Sequence, residues 1–84
     1  MEYQATQSDQ KLSFGGKAVG LTFNPSSNPN VQKLKEAYAD IIDHLDNTRG
    51  STKDPEVKRL CSVAITEAQT AQMWAVKAVT WELN

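Results

Sequence analysis

The last third of the chain is almost free of charge over a length that predicts one continuous helix. Between Leu60 and Trp81 only Glu67 and Lys77 are charged, and neither glycine nor proline follows Pro55. A helix that is uncharged around most of its circumference is typical of a buried helix. One neighbouring helix covers one side only. The sequence therefore predicts that further copies of the chain cover the rest, in an obligate homo-oligomer.

The periodicity predicts two helices, at about residues 31–48 and 55–83. Apolar residues recur every three or four positions in the first, and its charged residues, Lys35 among them, are assigned to the other faces. Asp54 before Pro55 is typical of a helix N-terminus, with Asp54 as the N-cap. At ~1.5 Å per residue the second helix would be about 16 Å longer than the first, and this excess would also need a cover.

Residues 1–30 differ from the rest in composition and are predicted to form an N-terminal arm. They hold three of the four glycines and two of the three prolines. Val, Leu, Thr and Phe within residues 17–23 favour a short strand or an extended segment. The predicted fold class is an all-α antiparallel two-helix hairpin, residues 31–84, preceded by a short extended or irregular arm.

Two rows of residues run along the predicted second helix at intervals of three and four. We expect the row of mostly small residues to pack against the first helix; it contains Leu60, Ala64, Ala68, Ala71, Ala75 and Ala78. The other row lies on a different face and mixes apolar groups, hydroxyls and one amine; it contains Val63, Thr66, Thr70, Met73, Lys77 and Thr80.

Several function classes are disfavoured by composition. Nine Lys and Arg against ten Asp and Glu give a formal charge of −1, which does not favour DNA or RNA duplexes or an anionic membrane as partners. A single cysteine, Cys61, and a single histidine, His44, provide neither a zinc set nor a Cys/His nucleophile and base. We expect no metal, no cofactor and no enzymatic activity. The N-terminal residues lack a secretion signal, which predicts a cytoplasmic protein.

Four residues near the arm and the first helix are candidates for binding a small anionic ligand. Phe23 offers a face for base stacking, although it is equally typical of a hydrophobic staple on the helix. Asn24 offers an amide for a base edge or a ribose. Lys35, one turn into the helix, and Lys17, directly after Gly15-Gly16, offer amines to phosphate, although most such lysines are simply solvated.

Lys77 is the candidate within the second helix, because its neighbours along the chain are apolar. Ammonium groups gathered at a rotation axis repel one another, and an anion held among them relieves that repulsion. Thr80 lies in the same row and adds a hydroxyl. The alternative is a lysine whose side chain reaches solvent near the C-terminus.

The residues that carry these features resemble a known family over about residues 20–82. The similar segments are Phe23-Asn24-Pro25-Ser26, Val31-Gln32-Lys33-Leu34-Lys35-Glu36-Ala37, Ile41-Ile42-Asp43, Ala64-Ile65-Thr66 and Met73-Trp74-Ala75-Val76-Lys77-Ala78. They look like the helical-hairpin domain shared by phage anti-CBASS cyclic-nucleotide sponges and phage Thoeris anti-defence sponges.

The resemblance implies a homohexamer in the infected bacterial cell that binds cyclic nucleotide immune signals without cleaving them. It implies that Lys35 contacts phosphate in a cyclic dinucleotide pocket between protomers. Lys77 stands where the family often has an arginine, near the sites of cyclic trinucleotides, and it lacks the bidentate fork of arginine. The family's stacking aromatic has no fixed match, and Phe23 is the nearest one. Two alternatives stay open: a sponge for an ADP-ribose-derived signal, and an interaction oligomer without a small ligand.

Overall fold

The structure, a computed structural model, describes residues 11–83. They form three helices, α1 (Phe14–Val19), α2 (Pro29–Ser51) and α3 (Pro55–Val79), and a 3-10 turn at Trp81–Leu83. No strand occurs in this range, so the prediction of an all-α fold is confirmed. Residues 1–10 of the predicted arm and Asn84 of the predicted hairpin domain lie outside the described residues.

The two long helices begin where local side chains cap them. The Asn28 side chain accepts hydrogen bonds from the first backbone N–H groups of α2, and the Asp54 carboxylate accepts one from the Glu56 backbone N–H. Asp54 is thus the N-cap of α3, as predicted. The helices contain 23 and 25 residues, so the predicted large difference in length is wrong.

α2 continues past the predicted stop because its last turn is held against α3. The Arg49 guanidinium donates to Asp46 Oδ1 at 2.7 Å and, across the hairpin, to Ser62 Oγ at 3.0 Å. Lys58 Nζ donates to the Arg49 carbonyl oxygen at 3.0 Å. These contacts satisfy polar groups at the end of the helix, and the chain leaves it at Thr52.

The core lies where α1 packs against the hairpin. It is formed by Val19 of α1, Ala39 and Ile42 of α2, and Ile65 of α3. The Cα atoms extend over 42 × 34 × 12 Å, so the described chain is a single layer of helices. A single layer leaves both of its broad faces uncovered.

The α3 residues that face α2 and α1 coincide with the predicted row of small residues only at Ala68. Cys61, Ile65 and Gln72 are buried and Ala68 packs on the core, whereas Leu60 of the predicted row is 51% exposed. The prediction failed because α3 carries only two charges between Leu60 and Trp81, so its sequence pattern does not tell which side meets α2.

The side of α3 opposite its buried side is open to solvent in the single chain. We call it the outer face; it contains Leu60, Val63, Glu67, Thr70, Trp74, Lys77 and, just beyond the helix, Trp81. These positions alternate at spacings of three and four, the 3.5-residue period of helices that pack along a seam. The two tryptophans, Trp74 and Trp81, are 66% and 65% exposed. Large apolar groups in such a row mark an interaction surface.

The predicted strand or extended segment at residues 17–23 is wrong, because residues 14–19 form α1 and the next residues form turns. The Ser13 side chain accepts from the Gly16 N–H at 3.0 Å and caps the start of α1. Gly20 ends the helix in the left-handed conformation, with φ of 64°. The strand prediction weighed side-chain propensity alone. These caps, together with burial of Val19, outweigh it.

α1 sits unusually close to α2 at Gly15. The Gly15 N–H donates to Asp43 Oδ1 at 2.6 Å, so a carboxylate of α2 binds the first turn of α1. A Cβ at this position would overlap the Ala39 carbonyl oxygen and lie 2.9 Å from Asp43 Oδ1. Glycine is therefore required here by the distance between the two helices.

Replacing Gly15 by alanine is expected to destabilise the fold by about 2 kcal/mol, because α1 must move away from α2. Gly50→Ala is the matched control, since a Cβ there meets nothing within 4 Å. It should be neutral or stabilise by up to about 1 kcal/mol. Thermal unfolding of both variants tests this. Equal melting temperatures would show that α1 does not pack as described.

Candidate functional site

A groove of about 570 Å³ runs between α1 and the second half of α3, with α2 contributing to its floor. The turn after α1 forms one rim. The residues that line it and are polar or exposed come from all three helices and that turn: Lys17, Phe23, Lys35, Gln69, Gln72 and Met73. Three of the six predicted ligand-binding residues, Lys17, Phe23 and Lys35, therefore lie together in this groove. This volume suits a small organic ligand.

Lys35 is buried, which corrects its assignment to a polar face of α2. It is 6% exposed and follows Val31 on the side of α2 that faces the core. Its ammonium Nζ donates to the carbonyl oxygens of Gly20 at 3.0 Å and Phe23 at 2.5 Å. It forms no ion pair with a carboxylate within residues 11–83. A buried cation without a counter-ion is energetically costly, and an ammonium with two acceptors keeps one N–H for another partner.

Phe23 stands over this ammonium and is open to solvent. Lys35 Nζ lies 5.4 Å from the centroid of the Phe23 ring, which is a cation–π contact, while the residue is 70% exposed. Two hydrogen bonds hold its backbone. The Phe23 carbonyl oxygen accepts from Lys35 Nζ, and the Phe23 N–H donates to the Gly20 carbonyl at 2.8 Å. An exposed ring on a fixed backbone can act as a stacking platform.

Asn24 does not line the groove and contributes to its architecture instead. Its Nδ2 donates to the Asn28 carbonyl at 2.9 Å, and its Oδ1 accepts from the Asn28 N–H at 3.1 Å. Both ends of the amide are thereby used within the loop that leads into α2. Asn24 borders a separate cavity with Leu21 and Gln32.

Lys77 and Thr80 lie together in a second cavity, of about 550 Å³, near the end of α3. Met73 and Val76 line both this cavity and the groove, so the two spaces share a wall. Thr80 Oγ1 donates to the Val76 carbonyl at 2.8 Å. Lys77 is an exposed residue and belongs to the outer face.

A family model described as the hairpin domain of Acb2/Tad1 matches residues 16–80. The chain belongs to the Acb2/Tad1 hairpin family. This is the phage anti-CBASS and Thoeris sponge family, so the resemblance noted from the sequence is confirmed. All six predicted ligand-binding residues fall inside the matched segment.

Membership in the Acb2/Tad1 family indicates an anti-defence sponge role. No curated protein and no solved structure matches the chain significantly. Within residues 11–83, no helix has the length and apolar character needed to span a membrane. The same range contains no group of three His, Cys, Asp or Glu side chains placed to hold a metal ion.

Two glutamines of this Acb2/Tad1 hairpin chain enter the groove without having been predicted from the sequence. Gln69 Nε2 donates to the Ala18 carbonyl oxygen at 3.4 Å and so joins α3 to α1. Gln72 is 6% exposed and lies on the buried side of α3. A signal was present for Gln72: it continues the spacing of Cys61, Ile65 and Ala68, where a polar residue interrupts an apolar stripe.

Proposed function

We propose that this protein sequesters cyclic dinucleotide immune signals in the groove, without cleaving them, inside the infected bacterial cell. The observation that carries the proposal is the buried Lys35 ammonium, which has carbonyl partners but no carboxylate within the described residues. A phosphate is the counter-ion that such a site lacks, and its oxygens accept the N–H that Lys35 still has available.

The other groove residues supply what a nucleotide needs besides charge. A base stacks on the exposed face of Phe23, beside the phosphate at Lys35. Lys17, exposed on α1, adds a second cation at the rim. Asn24 holds the turn that carries Phe23 and acts as a positioning residue. Binding at 1 nM corresponds to about −12 kcal/mol, and two phosphates with two stacked bases are enough contacts to reach it.

The ligand site is completed by other copies of the chain, in a homo-oligomer for which the family implies a hexamer. The groove is open along one side, and its rim residues Phe23 and Met73 are 70% and 61% exposed. A second protomer across a twofold axis presents the same residues again and matches the pseudo-symmetry of a cyclic dinucleotide. The outer face of α3 provides the surface for this assembly.

The second cavity is the proposed site for a cyclic trinucleotide. Lys77 and Thr80 line it, and copies of Lys77 around a threefold axis would share one anion. Because lysine makes a single point contact where arginine makes two, we expect weaker binding here than an arginine at this position would give.

Native mass spectrometry of the protein with a mixed panel of cyclic di- and trinucleotides tests the proposal. We expect a hexamer carrying cyclic dinucleotide, from which heat releases the ligand with unchanged mass. An ADP-ribose-derived cyclic signal belongs in the same panel, as the alternative ligand. An oligomer that binds none of these compounds would refute the sponge function. A released ligand with a broken phosphodiester would refute sequestration without cleavage.

Phe23→Leu is expected to weaken binding of the cyclic dinucleotide about fivefold to 100-fold, because an aliphatic side chain offers no stacking face. Phe14→Leu is the matched control, since Phe14 is also exposed but packs against Arg49, at 5.4 Å from the ring centroid. Calorimetric titration of both variants measures the effect. Equal losses of affinity in the two variants would remove Phe23 from the binding site.

A further inference from the structure

Gln72 occupies a position where folding alone favours an apolar side chain. It follows Cys61, Ile65 and Ala68 at spacings of four, three and four, and Val76 continues the same stripe. Ile65 belongs to the core and Ala68 packs against it, and Gln72, at 6% exposure, is about as deeply buried as Cys61 and Ile65. Lys35 is likewise a polar residue on the buried, mostly apolar side of α2. Both Lys35 and Gln72 line the groove.

The Gln72 side-chain amide has no hydrogen-bond partner within residues 11–83. This separates it from Gln69, one turn earlier, whose amide donates to the Ala18 carbonyl. A buried amide that pairs with nothing loses its bonds to water without compensation and so opposes folding. Its Nε2 and Oε1 atoms are therefore available, in a desolvated site, to a ligand that carries matching groups.

We propose that Gln72 reads the nucleobase of the bound ligand and determines which cyclic dinucleotides the groove accepts. This inference rests on the proposed function. A phosphate offers only acceptors and would leave the Gln72 Oε1 unpaired. The phosphate is moreover already assigned to Lys35. A base edge with a donor beside an acceptor pairs with both ends of the amide, as adenine does through its N6 and N7 atoms.

The division of roles follows from the chemistry of each group. Lys35 contacts the phosphate, Phe23 stacks on the ring face, and Gln72 pairs with the ring edge. Charge and stacking are shared by all nucleotides and give affinity without selectivity. Discrimination between bases comes from the buried amide, since a base with the wrong edge leaves it unpaired.

Gln72→Met tests the inference, because methionine keeps the length of the side chain and removes both polar atoms. Wild type and variant are titrated calorimetrically with cyclic di-AMP, cyclic di-GMP and cyclic GMP–AMP, and their unliganded melting temperatures are compared. We expect the variant to lose about tenfold in affinity for the ligand preferred by the wild type. The affinity ratio between the best and the worst ligand should fall toward one. The unliganded variant should melt no lower than the wild type.

Gln32→Met is the matched control: it makes the same substitution outside the groove, where Gln32 donates to Glu36 Oε2, and should keep both the affinities and the ratio between ligands. An unchanged ratio in Gln72→Met would overturn the reading of bases by Gln72 while leaving the sponge function intact. A melting temperature lowered by about 4 °C or more would overturn it too, because the amide would then have a structural partner. A wild type that binds no member of the panel would overturn the proposed function and this inference together.

Discussion

Lys35→Met is expected to lower the affinity for cyclic dinucleotides at least tenfold, or ~1.4 kcal/mol or more. Methionine keeps the apolar stem that packs in the core and removes the ammonium that we assign to the phosphate. The change also releases the carbonyls of Gly20 and Phe23, so the stacking ring loses its support. Both effects weaken binding. Calorimetric titration measures the loss, and native mass spectrometry should find the oligomer unchanged.

Lys33→Met is the control for net charge, because Lys33 lies on the same helix turn but is exposed and does not line the groove. The Lys33→Met variant should bind as the wild type does.

The dependence of binding on ionic strength provides a second test of Lys35. Binding by the wild type should weaken with added salt more steeply than binding by Lys35→Met, since salt screens the contact with phosphate. A folded Lys35→Met variant that keeps wild-type affinity would exclude Lys35 from the site.

Trp74→Asp is expected to convert the oligomer into monomers, because it places a charge in the centre of the outer face of α3. Trp74 is 66% exposed in the single chain and lies between Thr70 and Lys77 in the 3.5-residue row. Loss of a large aromatic from a buried interface costs several kcal/mol per copy, and a desolvated carboxylate adds to this. Light scattering coupled to size-exclusion chromatography measures the molar mass at micromolar concentration.

Asn47→Asp is the control for the Trp74 variant, because it adds the same charge at an exposed position of α2. It should assemble as the wild type does. If Trp74→Asp keeps the wild-type mass, the outer face is not the interface. A wild type that is itself monomeric would remove the reason for the proposed assembly, because the groove would then have no second protomer to close it.

The starts of the long helices were predictable because helix caps are local. Asp54 and Pro55 determine the beginning of α3 within one turn, and Asn28 with Pro29 does the same for α2. The end of α2 was not predictable in this way. It depends on Arg49 reaching Ser62 across the hairpin, a contact between residues that lie on different helices.

The helix α1 was likewise not predictable from local sequence. Ser13 and Gly20 are helix caps in the structure, yet the residues between them have no strong helical pattern. Six residues do not form a stable helix alone, because nucleation is costly. Burial of Val19 and the bond from Gly15 to Asp43 supply what the local sequence lacks.

The candidate site was predictable in part. Phe23 and Lys35 were identified by their residue types and by resemblance to the family, and the structure brings them together. Gln72 was missed because the prediction placed the contact with α2 on the small-residue side of α3. Once the buried side is known, an amide at that position stands out as the polar exception.

The amino acids alone determine that α3 carries more apolar surface than one partner helix can cover, because this depends only on how few charges it contains. They also determine where the long helices begin. The packing of the three helices decides which side of α3 meets α2. It also brings Lys35 and Gln72 to one groove. That packing depends on contacts between segments far apart in the chain, such as Gly15 against Ala39, which no local pattern encodes.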